Sequence, residues 1–170
     1  MAMSEALSDE EVQVAWASLA KEIRTGVLLT LRNGRPFGSH VPYVFGEQWT
    51  RAYIHVSRLA LHTEHLLQDA RVGLFISEPD RPEKNPLALR RMNLLGEAVL
   101  LNADAPNFGK VKERYLARFP QSAMMFSFAD FSLWELRLQD AHLVLGFGQA
   151  YLSDATTPLA WTHQKPEQKK

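Results

Sequence analysis

A hairpin written into residues 25–45 narrows the possible folds more than any other feature of the chain. The run TGVLLTL (25–31) alternates with period two, and a second run, FGSHVPYVF (37–45), follows it. Between them stand Asn33 and Gly34, the dipeptide that best accepts positive φ at both central positions of a two-residue turn. Alternating runs around such a turn specify an antiparallel pair. In the return strand Phe37, Ser39, Val41, Tyr43 and Phe45 share one face, and Gly38, His40, Pro42 and Val44 share the other. Pro42 has no N–H to give to a ladder, which puts this strand at a sheet edge or at a bulge.

The remaining segments extend the pattern. Ser8 followed by Glu11 has the spacing of a capping box, with Leu7 ahead of it as a staple, and predicts a helix over 9–22. Strands are predicted over 51–57, 71–77, 88–101, 131–138 and 141–152, the last two joined by a tight turn at Gln139-Asp140. Gly96 inside its strand marks a bulge or a close approach of ligand or backbone. Helices are predicted over about 60–69 and about 106–119, the second opened by Pro106 and stopped by Pro120, and three prolines make 78–87 a loop. Strands linked mostly by hairpins, without steady βαβ alternation, describe a mainly β (α+β) chain. The expected architecture is a small antiparallel barrel with about three helices packed outside.

Length and charge exclude several classes. One domain fits 170 residues, and 46% apolar residues suffice for a core. We take residues 1–152 as that domain and 153–170 as a polar tail. Nineteen basic residues balance nineteen acidic ones, so no broad basic surface exists for nucleic acid. Cysteine is absent, which removes thiolate metal sites and cysteine nucleophiles. No apolar run reaches the ~18 residues of a membrane span, and the N-terminus lacks a signal-peptide pattern. A cytoplasmic protein that does not enter membranes is expected.

Three places carry chemistry-bearing residues. SRLALHT (57–63) lies where a strand hands over to a helix, bringing Ser57, Arg58, His62 and Thr63 to a helix N-terminus suited to a phosphate, or simply a helix capped by Thr63. Arg91 and Asn93 share a strand face with Leu95. GFGQAY (146–151) sets Gly146, Gly148 and Ala150 on one face of its strand, with room for a neighbouring backbone or a flat ring. His62 and His65 are one helical turn apart, but HTEH is not a zinc-binding HExxH, and no metal site is expected. No hydrolase constellation stands out.

Taken together, TGVLLTLRNGRPFGSHVPYVF, YIHVSRLALHTEHLLQDARVGLFI, LRRMNLLGEAVLL and LWELRLQDAHLVLGFGQAY resemble the pyridoxamine 5'-phosphate oxidase-like FMN-binding split barrels. Within them the chain is most similar to the haem-utilisation branch, which ends in a comparable GFGQAY strand. The resemblance implies a homodimer with a flavin in each cleft between subunits. Ser39, His40, Val41 and Pro42 would then line the ring. Ser57, Arg58, His62 and Thr63 would hold the phosphate, and Arg91 or Asn93 would add a polar contact. It implies an FMN-dependent oxidoreductase of unknown substrate, with the catalytic residues unassigned. Pyridoxamine phosphate oxidases carry Ser-Arg-Lys where this chain has Ala60, Leu61 and His62, and their Arg-Leu-x-Pro ending is absent, so pyridoxal phosphate synthesis is not expected. Two alternatives stand beside it: a haem-binding protein with His163 as the iron ligand, and a cofactor-free scaffold dimer.

Overall fold

The computed structural model describes residues 6–47, 49–154 and 160–164. Of the stretch taken as a polar tail, residues 155–159 and 165–170 lie outside the described residues. In chain order the elements are α1 (Asp9–Glu22), β1 (Thr25–Arg32), β2 (Arg35–Pro42), β3 (Val44–Phe45), β4 (Arg51–Ser57), α2 (Leu61–Gln68) and β5 (Arg71–Ser77). They continue with β6 (Arg91–Leu101), α3 (Phe108–Arg118), β7 (Phe131–Gly146), β8 (Gln149–Ser153) and β9 (Thr162–His163), with short 3-10 turns at Pro86–Ala88 and Pro120–Ser127. One antiparallel sheet runs in the order β2-β1-β5-β6-β7-β4-β3, and β8 and β9 continue from the second half of β7.

Local chemistry explains the beginnings of these elements. The Ser8 hydroxyl accepts from the Glu11 amide at 3.3 Å, and the Glu11 carboxylate accepts from the Ser8 amide at 2.8 Å, completing the capping box of α1. Asn33 and Gly34 take φ of 51° and 74°, the two positive values the β1–β2 turn requires. Pro42 ends β2, which pairs only with β1 among the described residues and is therefore an edge.

Several strands differ from expectation; the one expected over 88–101 begins only at Arg91, because Pro86–Ala88 form a 3-10 turn. The return strand does not continue to residue 45: it breaks at Tyr43, and Val44–Phe45 pair with β4 instead. The Tyr43 hydroxyl reaches the Ile23 carbonyl, a tertiary contact that pulls the backbone off the hairpin. The Gln139-Asp140 turn is absent as well. β7 runs without interruption through 131–146, and Gln139 is an extra residue bulged out between the pairs Gly96↔Leu138 and Leu95↔Asp140. The turn comes later, at Phe147-Gly148, where Gly148 has φ 73°, so Gly146, Gly148 and Ala150 do not lie on one strand. Gly96 is the close approach the sequence suggested. A Cβ there would lie 1.9 Å from the Arg137 carbonyl oxygen.

The core fills the inner face of the curled sheet. Leu28, Leu74, Leu94 and Ala141 form one cross-strand row, and Ile76, Met92, Leu143 and Tyr151 the next, all buried. Val12, Trp16 and Leu19 of α1 close this core. A second cluster packs Val111 and Tyr115 of α3 and the following Phe119 on Tyr53 and Leu133, on the other face of β4 and of the first half of β7. Residues 160–164, read as tail, return to the sheet: Trp161 packs edge-on against Trp16, and Thr162–His163 pair with β8.

Candidate functional site

The β4–α2 junction does bring Ser57, Arg58 and Thr63 together, but their donors are engaged. Ser57 donates its hydroxyl to Asp130 at 2.5 Å, and its Oγ accepts from the Leu59 amide. Thr63 is buried and donates to the Ser57 carbonyl at 2.7 Å, so it is a buried brace and not the helix cap. The Arg58 guanidinium reaches the Ala129 carbonyl at 3.3 Å. What stays open to an anion is the start of α2, which has no side-chain cap. His62 is half-buried, and its Nε2 has no partner among the described residues. Burial, then the neighbouring His65, lowers its pKa, so this imidazole is neutral at physiological pH. Behind it His65 is buried, with Nδ1 2.9 Å from the Thr30 hydroxyl and its ring edge-on to Phe37.

The second strand distributes its four candidates over both faces. Val41 is wholly buried in the core, and Ser39 stands on the same inward row opposite Leu28. His40 points outward, with Nε2 2.9 Å from the Thr25 hydroxyl, and Pro42 shares that side. His40 opens an outer row that crosses the sheet through Val27, Phe75, Asn93, His142 and Leu152. With strands about 4.8 Å apart, His40 and Asn93 are roughly 14 Å apart along it.

Arg91, Asn93 and Leu95 share this outer face, as their alternation indicated. Arg91 turns back to donate to the Leu87 and Leu89 carbonyls at 3.2 and 2.9 Å. The buried Oδ1 of Asn93 has no partner among the described residues. Beside it a cleft of about 450 Å³ lies between the outer face and β9, lined in part by Asn93, Leu95, His142, Leu152 and Thr162. His142 had drawn no assignment. The signal for it was the alternation of its strand, but only the register against β6 places it opposite Asn93.

His163 is not part of this face. It pairs with Tyr151 on the inward row, its ring tilted over that tyrosine at 5.1 Å. Its Nε2 donates to the Gly148 carbonyl at 2.9 Å, and its buried Nδ1 has no partner among the described residues. One imidazole nitrogen tied to a carbonyl with the other free is how protein histidines are prepared for metals. The described residues contain no group of three or more His, Asp or Glu side chains that could hold a metal ion without further ligands. No described helix is long and apolar enough to cross a membrane.

Comparison with known proteins bears on the fold. The heme oxygenase HutZ of Vibrio cholerae is 27% identical over 119 residues, which are 69% of this chain and 66% of that protein. The structure of a heme binding protein from Mycobacterium smegmatis superposes with a TM-score of 0.75 at 27% identity, over 90% of this chain and 60% of the other. Campylobacter jejuni ChuZ shares the fold with a TM-score of 0.80 at 19% identity, covering 99% of this chain and 68% of its own. The chain thus spans about two thirds of the length of these relatives. The split-barrel resemblance and its haem-utilisation branch hold. The family model described as "CREG, beta-barrel" matches residues 9–157, and the chain belongs to that family.

Proposed function

We propose that this chain binds haem against the outer face of β1, β5, β6, β7 and β8, and that two copies meet over that face. The observation that carries the reading is the surface itself. Leu95 and Leu152 are 44% and 42% exposed, and they flank the partnerless Asn93 oxygen and the His142 imidazole. An apolar sheet face with an unmatched buried acceptor is a surface awaiting a partner. A flat apolar macrocycle and a second copy of the chain both suit it. His142 on this face is the imidazole we assign to iron, His163 on the inward row with its buried Nδ1 is the alternative, and Arg91 offers a cation for a carboxylate. Bound haem would supply an iron centre for dioxygen chemistry. The relatives described as a heme oxygenase and a heme binding protein support the reading.

A flavin reading has one observation of its own, the uncapped start of α2 beside Arg58. Against it, Ser57 and Thr63 have already given away their hydroxyl protons. The Asp130 carboxylate at Ser57 opposes a phosphate, and His62 is held neutral. The donor set at this junction does not fit a phosphate dianion.

Titration of the purified protein with hemin and, separately, with FMN tests the choice. A saturable Soret band, lost in His142→Ala or in His163→Ala, is the expected result. A Soret band unchanged by both substitutions, or tight FMN binding with none for hemin, refutes the haem site.

A further inference from the structure

Two adjoining pockets beside α3, the second also walled by α1, share no lining residue with the cleft just described. The first, of about 210 Å³, is lined by Arg51, Lys110 and Arg114 together with Asn107 and Glu47. The second is a groove of about 400 Å³. The two pockets meet at Gly46 and Arg114; the first is dominated by cations, and the second offers Ala17, Ala117 and Trp49 alongside the cations Lys21 and Arg118.

The charge balance at the first pocket is positive. Arg51, Lys110, Arg114 and Arg137 face two carboxylates, Glu47 and Glu135. Glu135 is already engaged by Arg51, Arg137 and the Tyr53 hydroxyl. The first turn of α3 contains no acidic residue, and Asn107 makes no side-chain cap, so the helix dipole adds to the same sign. The chain itself shows that an anion sits here: the Glu47 carboxylate lies 2.7 Å from the Lys110 ammonium and 3.4 Å from the Arg114 guanidinium. The Glu47 and Lys110 side chains are each 64% exposed, and an ion pair of that kind contributes little. A ligand that matched those contacts and also covered the groove would displace Glu47.

We propose that these two pockets form a second binding site, for a small organic anion with a flat apolar body, of the aromatic carboxylate or sulfonate class. The anionic group takes the place of the Glu47 carboxylate on Lys110 and Arg114, with Arg51 in the same pocket. The apolar body lies over Ala17 and Ala117, where the small side chains leave the room, and against Trp49. Arg114, shared by both compartments, sets the orientation.

Fluorescence titration with 8-anilinonaphthalene-1-sulfonate tests it on the full chain. Saturable binding is expected, weakened about tenfold or more in Lys110→Glu, where one charged contact is lost and reversed. Ala117→Trp, at an exposed helix position, fills the groove and is expected to weaken binding similarly. Glu47→Gln removes the internal competitor and is expected to tighten binding severalfold. Circular dichroism of each variant confirms the fold, and hemin titrations of Lys110→Glu are expected to match wild type. Absence of saturable binding, or binding left unchanged by either Lys110→Glu or Ala117→Trp, overturns the proposal, as does weaker binding in Glu47→Gln.

Discussion

Acid should weaken this fold through buried histidine, His55 above all, before its carboxylates titrate. His55 of β4 is only 7% exposed. Its ring stacks on Phe126 with centroids 3.8 Å apart and planes at 8°, and Phe131 and Tyr115 stand at 5.3 and 5.8 Å. Burial first, and the Lys112 charge second, push its pKa from the ordinary 6.5 down to about 4. The folded protein therefore binds this proton less readily than the unfolded chain does. Between those two pH values the unfolded state carries more protons, so stability falls as pH falls through 6.5 and levels off near 4. Linkage between the two values gives a loss of about 2 kcal/mol between pH 7.5 and pH 5, and about 3 kcal/mol as the ceiling.

Urea unfolding at a series of pH values measures this. With a slope of about 1–3 kcal/mol per molar urea, the midpoint should drop by roughly 1 M from pH 7.5 to pH 5. His55→Phe keeps an aromatic ring among aromatic neighbours and removes the titration, so its midpoint should be flat over the same range. His62, which is also lowered, needs a parallel His62→Gln control. The imidazole proton resonance of His55 should titrate near pH 4. Equal acid losses in wild type and His55→Phe, or a His55 midpoint above about 6, would refute the reasoning.

Other substitutions probe other parts of the structure. Gly96→Ala sets a methyl against the Arg137 carbonyl and should cost about 3 kcal/mol or more by thermal denaturation. Ser8→Ala removes the capping box and should cost about 1 kcal/mol, read from the same melts. Burial alone would raise the Glu78 pKa, but bonds from the Arg90 amide, Lys84 and the Arg90 side chain outweigh it and hold it low, so Glu78→Gln should cost about 2 kcal/mol at neutral pH and markedly less near pH 3. Leu95→Asp with Leu152→Asp places two charges on the outer face; sedimentation should show a dimer for wild type and a folded monomer for the double variant.

The parts of this fold that local chemistry dictates were readable in advance. The Asn33-Gly34 turn, the capping box of α1 and the shared face of Arg91, Asn93 and Leu95 each depend on a few neighbouring residues. The junction shows where such reading stops. Ser57, Arg58 and Thr63 do gather at a helix start, as their sequence suggests. What each hydroxyl does there is decided by Asp130, which lies 73 positions along the chain from Ser57. A threonine in a first helical turn looks like a cap; here the partner is the Ser57 carbonyl, and the hydroxyl donates where a cap would accept. Likewise the break at Tyr43 answers to the end of α1, not to anything inside the strand.

The bulge at Gln139 joins the misread strand to the outer face. Before it, the even-numbered Trp134, Leu136 and Leu138 of β7 face inward; after it, the odd-numbered Ala141 and Leu143 do. A parity change of that kind is what a two-residue turn between separate strands would also produce, which is why the sequence reads as a hairpin there. The partner strand decides between the two. β6 keeps one parity across its whole length, with Met92, Leu94 and Ala98 inward, and pairs with β7 on both sides of the irregularity. Only an extra residue in β7 reconciles an unbroken partner with a change of face. Because the side-chain period is two, that one residue turns every later side chain of β7 over. Without it His142 would point into the core and Leu143 outward. With it the imidazole comes out beside Asn93, and the glycine at position 96 lets the two backbones close to the distance the bulge demands.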